Sequence, residues 1–85
     1  MRTIAIVAGG DSPEYEISVK SANGVASALS SRYETYIIVI RGINWYWEDQ
    51  KGSFYNIDKN DFTLIVDDFH IRFDAVFIAI HGTPG

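Results

Sequence analysis

The sequence predicts an α/β fold: a small parallel sheet covered by helices on its faces, with β-hairpins inserted into it. Three observations carry that prediction. Residues 4–8, 36–40 and 75–80 are continuous apolar runs of strand length, and a run that does not alternate belongs to a strand covered on both faces. A helical stripe separates the first two runs. The stretch between the second and third is cut into aromatic pieces by turn residues.

Each element has a local reason. In the helix of residues 13–31, Ala22, Val25, Ala26 and Leu29 recur at spacings of three and four and make one apolar face. Ser12 before Pro13 is a helix start: a hydroxyl caps the first free N–H groups, and proline has no N–H to lose there. Asp11 is an alternative cap, with Glu14 reaching back in a capping box. Strand, helix and strand form a right-handed βαβ unit. In residues 41–74, WYWED and SFYNI flank QKG, a hairpin with Gly52 at positive φ. FTLIV and FHIRF flank Asp67-Asp68, a second hairpin with a two-residue loop.

Composition narrows the function. Of 85 residues 47% are hydrophobic, with five Phe, five Tyr and two Trp, the make-up of a chain that builds a core. The net charge of -4, with seven scattered Lys and Arg, offers no broad attraction to nucleic acid or anionic lipid. There is no cysteine, and two histidines far apart in sequence are poor evidence for a metal. The short apolar run before Gly9 is neither a signal core nor a membrane span, so the expected location is cytoplasmic. The ending VFIAIHGTPG reads as a strand running into a loop where a longer chain has been cut, which would leave apolar surface bare around residues 75–80.

Ligands of open α/β sheets gather at the carboxyl ends of the strands. Here those ends carry Gly9, Gly10, Asp11 and Ser12 after the first strand and His81, Gly82, Thr83, Pro84 and Gly85 after the last. Gly-Gly before a helix invites a phosphate, but the pattern is neither a dinucleotide fingerprint nor a P-loop. Asp11, Glu14 and Glu16 would repel an anion. A cation, such as a small ammonium group held by a carboxylate, fits better. The plainer reading of these carboxylates is that they complement the helix dipole, that His81 and His70 are structural, and that Trp45 and Trp47 pack the hairpins. A stand-alone α/β nucleotide- or small-ligand-binding module and an oligomerisation domain remain alternatives.

VAGGDSPEYEISVKSA (7–22) and VFIAIHGTPG (76–85) together resemble the D-alanine:D-alanine ligases, ATP-grasp enzymes of peptidoglycan precursor synthesis. The resemblance implies a three-layer, Rossmann-like, pre-ATP-grasp domain. It also implies that residues 1–85 are the N-terminal substrate-binding domain of a larger ligase, cut within the His-Gly loop, with central and C-terminal ATP-grasp domains to follow. Glu14 then matches the glutamate that binds the ammonium of the first D-alanine. His81 matches the histidine beside the acyl-phosphate region, and these two are the catalytic candidates. Ile17 stands where a valine commonly touches the substrate methyl; Gly82, Gly9 and Gly10 let backbone approach the ligand; Ser12 and Ser18 serve capping and helix-loop packing. ATP and Mg2+ would bind outside this stretch, which would be inactive alone, and the longer protein would be a homodimer. Relatives joining D-alanine to D-lactate or D-serine share these motifs.

Overall fold

The structure, a computed structural model, describes residues 2–9 and 14–79, apart from the side chains of Glu14 and Tyr15. The described elements are β1 (Arg2–Gly9), α1 (Glu14–Leu29), β2 (Tyr33–Arg41), β3 (Asn44–Glu48), β4 (Phe54–Asp58), β5 (Thr63–Val66), β6 (Phe69–Ile71) and β7 (Ala75–Ile78). They form one sheet in the order β6-β5-β4-β3-β2-β1-β7. β1 lies between β2 and β7 and runs parallel to both, whereas β2 to β6 are joined by antiparallel pairings.

β1 is the centre of the molecule, and its apolar run follows from that position. Ile4, Ile6 and Ala8 point to one face, where Ala22, Val25, Ala26 and Leu29 of α1 cover them. Ala5 and Val7 point to the other, into a cluster with Ile38, Ile57 and Leu64. The helical stripe read from the sequence is therefore the face that packs, with Val19 added at its start.

The second face is covered differently from the expectation. The sequence predicts helices on both faces; among the described residues α1 covers one face, and the sheet curls its own hairpins over the other. Trp45, Trp47, Tyr55, Phe62 and Phe73 supply that cover. Their rings interlock: Trp47 stacks on Tyr55 at 5.4 Å and meets Tyr36 edge-on at 5.0 Å, and Phe62 lies 5.6 Å from Phe73. Large rings fill the second layer because thirty-odd residues of hairpin have no helix to offer, and each ring buries a large area at modest entropic cost. The tryptophans are core, as the sequence suggested.

The turns carry the register. Gly52 has φ 85° and closes the β3–β4 turn, where Asp49 Oδ1 accepts hydrogen bonds from the N–H groups of Lys51 and Ser53, each 2.9 Å. Asp67 and Asp68 have φ 49° and 69° between β5 and β6. Positive φ at both central residues marks a type I′ turn, whose twist suits a hairpin. A third tight turn, Gly42-Ile43 between β2 and β3, has Gly42 at φ 63°, as a type II′ turn does at its first central position.

β7 departs from the expectation of burial on both faces. It is an edge strand beside β1, and Val76, Phe77 and Ile78 are 48%, 48% and 68% exposed. Of the surface expected to be bare around residues 75–80, residues 75–78 are exposed, Ala79 is buried, and Ile80 lies outside the described residues.

Candidate functional site

The candidate site lies where β1 and β7 end. The two strands are parallel and in register, Val7 opposite Ile78, so the chain leaves both at the same border of the sheet. β1 is flanked by β2, which the chain reaches through α1, and on its other side by β7, which it reaches only after the hairpins, so the connections on the two sides of β1 diverge at this border. At the foot of β7, the Thr3 N–H donates to Asp74 Oδ2 and the Asp74 N–H to the Thr3 carbonyl, both 2.7 Å, fixing where the strand begins.

Gly9 ends β1 at φ 128°. A Cβ there would stand 2.0 Å from the Ile40 carbonyl oxygen on β2. Only glycine meets both the dihedral and the contact. One turn into α1, the wholly buried Ser18 accepts a hydrogen bond from the Gly9 N–H at 3.0 Å and donates one to the Ala79 carbonyl at 2.7 Å. It joins helix, β1 and the chain just past β7. Its packing role is legible in the sequence; its bond to Ala79 is not, and the signal for it is a place one turn before Ala22 on the buried stripe. Ile17, beside it, is 58% exposed at the helix start.

The remaining sequence-predicted site residues, Gly10, Asp11, Ser12, Pro13, the side chain of Glu14, His81 and Gly82, lie outside the described residues. The titration behaviour that is perturbed among described groups belongs to the hairpins. Burial, with a hydrogen bond to Glu34 and that residue's charge, pushes the Tyr36 hydroxyl up to about 12. Backbone hydrogen bonds, led by that of Ser53, hold the Asp49 carboxyl below its ordinary value.

Asp58, Asp61 and His70 converge at the β4–β5 turn with ligand atoms within 4.8 Å of one another, a grouping the sequence did not suggest. Internal bonds account for it. Asp58 accepts from the Asn60 N–H, Asp61 accepts from the Thr63 hydroxyl, and Thr63 also bonds His70 Nδ1. His70 is tied into the hairpins by its bond to Thr63. No helix among the described residues is long and apolar enough to cross a membrane.

Taken together, a mixed α/β sheet with a helix on one face and a glycine–serine contact at the end of its central strand defines an α/β domain of the open-sheet class. Comparison with known proteins gives the particular family. Residues 3–85 match the family described as D-ala D-ala ligase N-terminus, and the chain belongs to that family. It is 44% identical over 85 residues to a D-alanine--D-alanine ligase of Bacteroides thetaiotaomicron and 46% identical to one of Phocaeicola vulgatus, spanning 99% of this chain and 26% of each relative. Among solved structures it resembles the D-alanyl-alanine synthetase A of Vibrio cholerae, with 31% identity, a TM-score of 0.75, and coverage of 99% of this chain and 25% of that one. A D-alanine-D-alanine ligase from Aeromonas hydrophila shares the fold at a TM-score of 0.73 and 23% identity. The chain thus spans about a quarter of the length of the curated relatives it matches.

Proposed function

We propose that this chain is the N-terminal domain of an ATP-dependent D-alanine:D-alanine ligase and that the chain leaving β1 and β7 forms the pocket for the first D-alanine. The observation that carries the proposal is the convergence of both sequence motifs on one sheet border, tied by Ser18, in a chain of this family. Relatives bearing that ligase name support the activity.

Glu14 opens α1 and precedes Ser18 by four residues, so helical periodicity puts both positions on the face turned to the strand ends. Its carboxylate would hold the substrate ammonium, and the exposed Ile17 would meet the methyl. His81, two residues past Ala79, would orient the carboxylate, and Gly82 with Gly9 and Gly10 would admit the ligand close to the backbone. This positioning, with charge placed where charge develops, is the domain's share of catalysis.

Two features of the described residues favour a nucleotide site elsewhere in the ligase. The Gly9 N–H, which a phosphate at the strand end would need, is already held by Ser18, and the apolar groove lined by Val7, Ile40, Trp45, Phe62, Val76 and Ile78 offers no polar atom for a base or phosphate. We assign ATP and Mg2+ to the remainder of the ligase, where ATP would phosphorylate one D-alanine carboxylate and the amine of the second would displace the phosphate. The bare edge of β7 is where the rest of the chain would complete a three-layer Rossmann-like domain. We assign the longer protein to the cytoplasm, as a homodimer.

The test is substitution in the longer protein. Glu14→Gln removes a charge-assisted bond of about 1.5–3 kcal/mol, which corresponds to roughly a 10- to 100-fold rise in KM for D-alanine; His81→Ala should act in the same direction. Unchanged KM in both variants refutes the pocket.

A further inference from the structure

In a parallel ladder, a residue donates to one side of its opposite number and accepts on the other, so the rungs alternate in direction. Between β1 and β7 the last direct rung is the Ala79 N–H donating to the Val7 carbonyl at 2.7 Å. By the register of Val7 opposite Ile78, the next rung would run from the Gly9 N–H to the Ala79 carbonyl. The Ser18 hydroxyl occupies that rung instead. It accepts from Gly9 at 3.0 Å and donates to Ala79 at 2.7 Å.

A hydroxyl has one proton and two acceptor sites, so inserting one leaves every group satisfied while holding the two main chains one oxygen further apart than a direct rung allows. This is the place where parallel pairing between β1 and β7 ceases: β7 ends at Ile78, and β1 at Gly9. The side chain is wholly buried and reaches the rung from the helix, so the spacing is set by α1. Its small size is required, since Ala8, Ala22 and Ala79 are buried around the same packing layer.

We propose that Ser18 is a wedge that splays the ends of β1 and β7 and so sets the spacing at which the chain leaves the two strands; the inference rests on the ligase reading above. Wholly buried, Ser18 acts as a positioning residue. Its effect is on the width of the crevice, which decides how well a molecule as small as D-alanine is held.

The experiment uses the longer protein and three variants: Ser18→Ala, Ser18→Cys, which keeps a weak donor and acceptor on a somewhat larger atom, and Ile6→Val, a core change in the same packing layer that leaves the rung intact. Loss of folded protein lowers kcat and leaves both KM values alone. A wedge predicts that Ser18→Ala raises KM for D-alanine by about tenfold or more while KM for ATP stays within about twofold, with Ser18→Cys between wild type and Ser18→Ala and Ile6→Val unchanged in both KM values. If Ser18→Ala changes only kcat, as Ile6→Val does, the wedge is overturned. A crystal structure of Ser18→Ala reads the wedge without activity, so that absence of D-alanine turnover in the wild type sinks the ligase reading by itself. Closure of Gly9 N onto the Ala79 carbonyl to about 2.9 Å supports the wedge, and strand ends that keep the wild-type separation refute it.

Discussion

Replacing Gly9 by alanine should cost more than a methyl added at any other glycine among the described residues. Two separate terms oppose it. The residue sits at φ 128°, where an L side chain pays about 1–3 kcal/mol. The new Cβ would also fall 2.0 Å from the Ile40 carbonyl oxygen and 2.9 Å from that residue's carbonyl carbon and nitrogen, whereas ordinary contact begins at 3.4 Å. These are backbone atoms of the paired strand, Gly9 being opposite Ile40, so no side chain can swing aside. The strands must part by more than an ångström at the end of the central pairing, an overpacking cost of about 1–3 kcal/mol. Together the loss is about 2–6 kcal/mol, against a total stability of about 5–15 kcal/mol for a typical domain. Chemical denaturation of wild type and variant, compared at matched slope, measures it. Gly24→Ala is the internal control. Gly24 is exposed in the middle of α1, and a methyl there would find nothing within 4 Å, so the same substitution should stabilise by about 0.5–1 kcal/mol. A Gly9→Ala loss below about 1 kcal/mol would refute the argument from φ and contact.

Two further outcomes follow from the hairpins. Asp68→Gly relieves left-handed backbone in the β5–β6 turn, where an ordinary L residue pays up to about 1–2 kcal/mol, and should raise the denaturation midpoint slightly; a fall would contradict the type I′ reading. Asp49 has its carboxyl pKa lowered in the folded state, first by the Ser53 backbone hydrogen bond. A lowered folded pKa means a stabilisation present above the unfolded value and lost as pH falls through the folded one. The stability difference between wild type and Asp49→Ala should therefore be constant above about pH 5 and shrink in more acid solution, as denaturation at a series of pH values would show; a difference independent of pH would refute it.

The parts of the fold set by local chemistry are legible in the sequence. β1, α1 and its stripe, the Gly52 turn and the Asp67-Asp68 turn each depend on periodicity or on residues that tolerate positive φ. Gly42-Ile43 gives a weaker signal, a single glycine with no second turn former beside it, and the structure needs only that glycine. The curl of the hairpins over Ala5, Val7 and Ile38 depends on how rings from distant strands interlock, which spacing does not encode. The exposure of Val76, Phe77 and Ile78 depends on sheet order: an apolar run gives the same signal whether its partner surface is present or lies elsewhere. At the site, Gly9 and Ser18 stand out as motif residues, but the inserted rung arises from three segments meeting. Asp58, Asp61 and His70 likewise come together only through the pairing of β5 with β6.

The central claim is that this domain serves a ligase that consumes D-alanine. Its most direct test is ADP release by the longer protein with ATP, Mg2+ and D-alanine, set against the same mixture with L-alanine. Release that depends on the D isomer is the expected result; turnover that ignores the isomer, or none in folded protein, would contradict the claim.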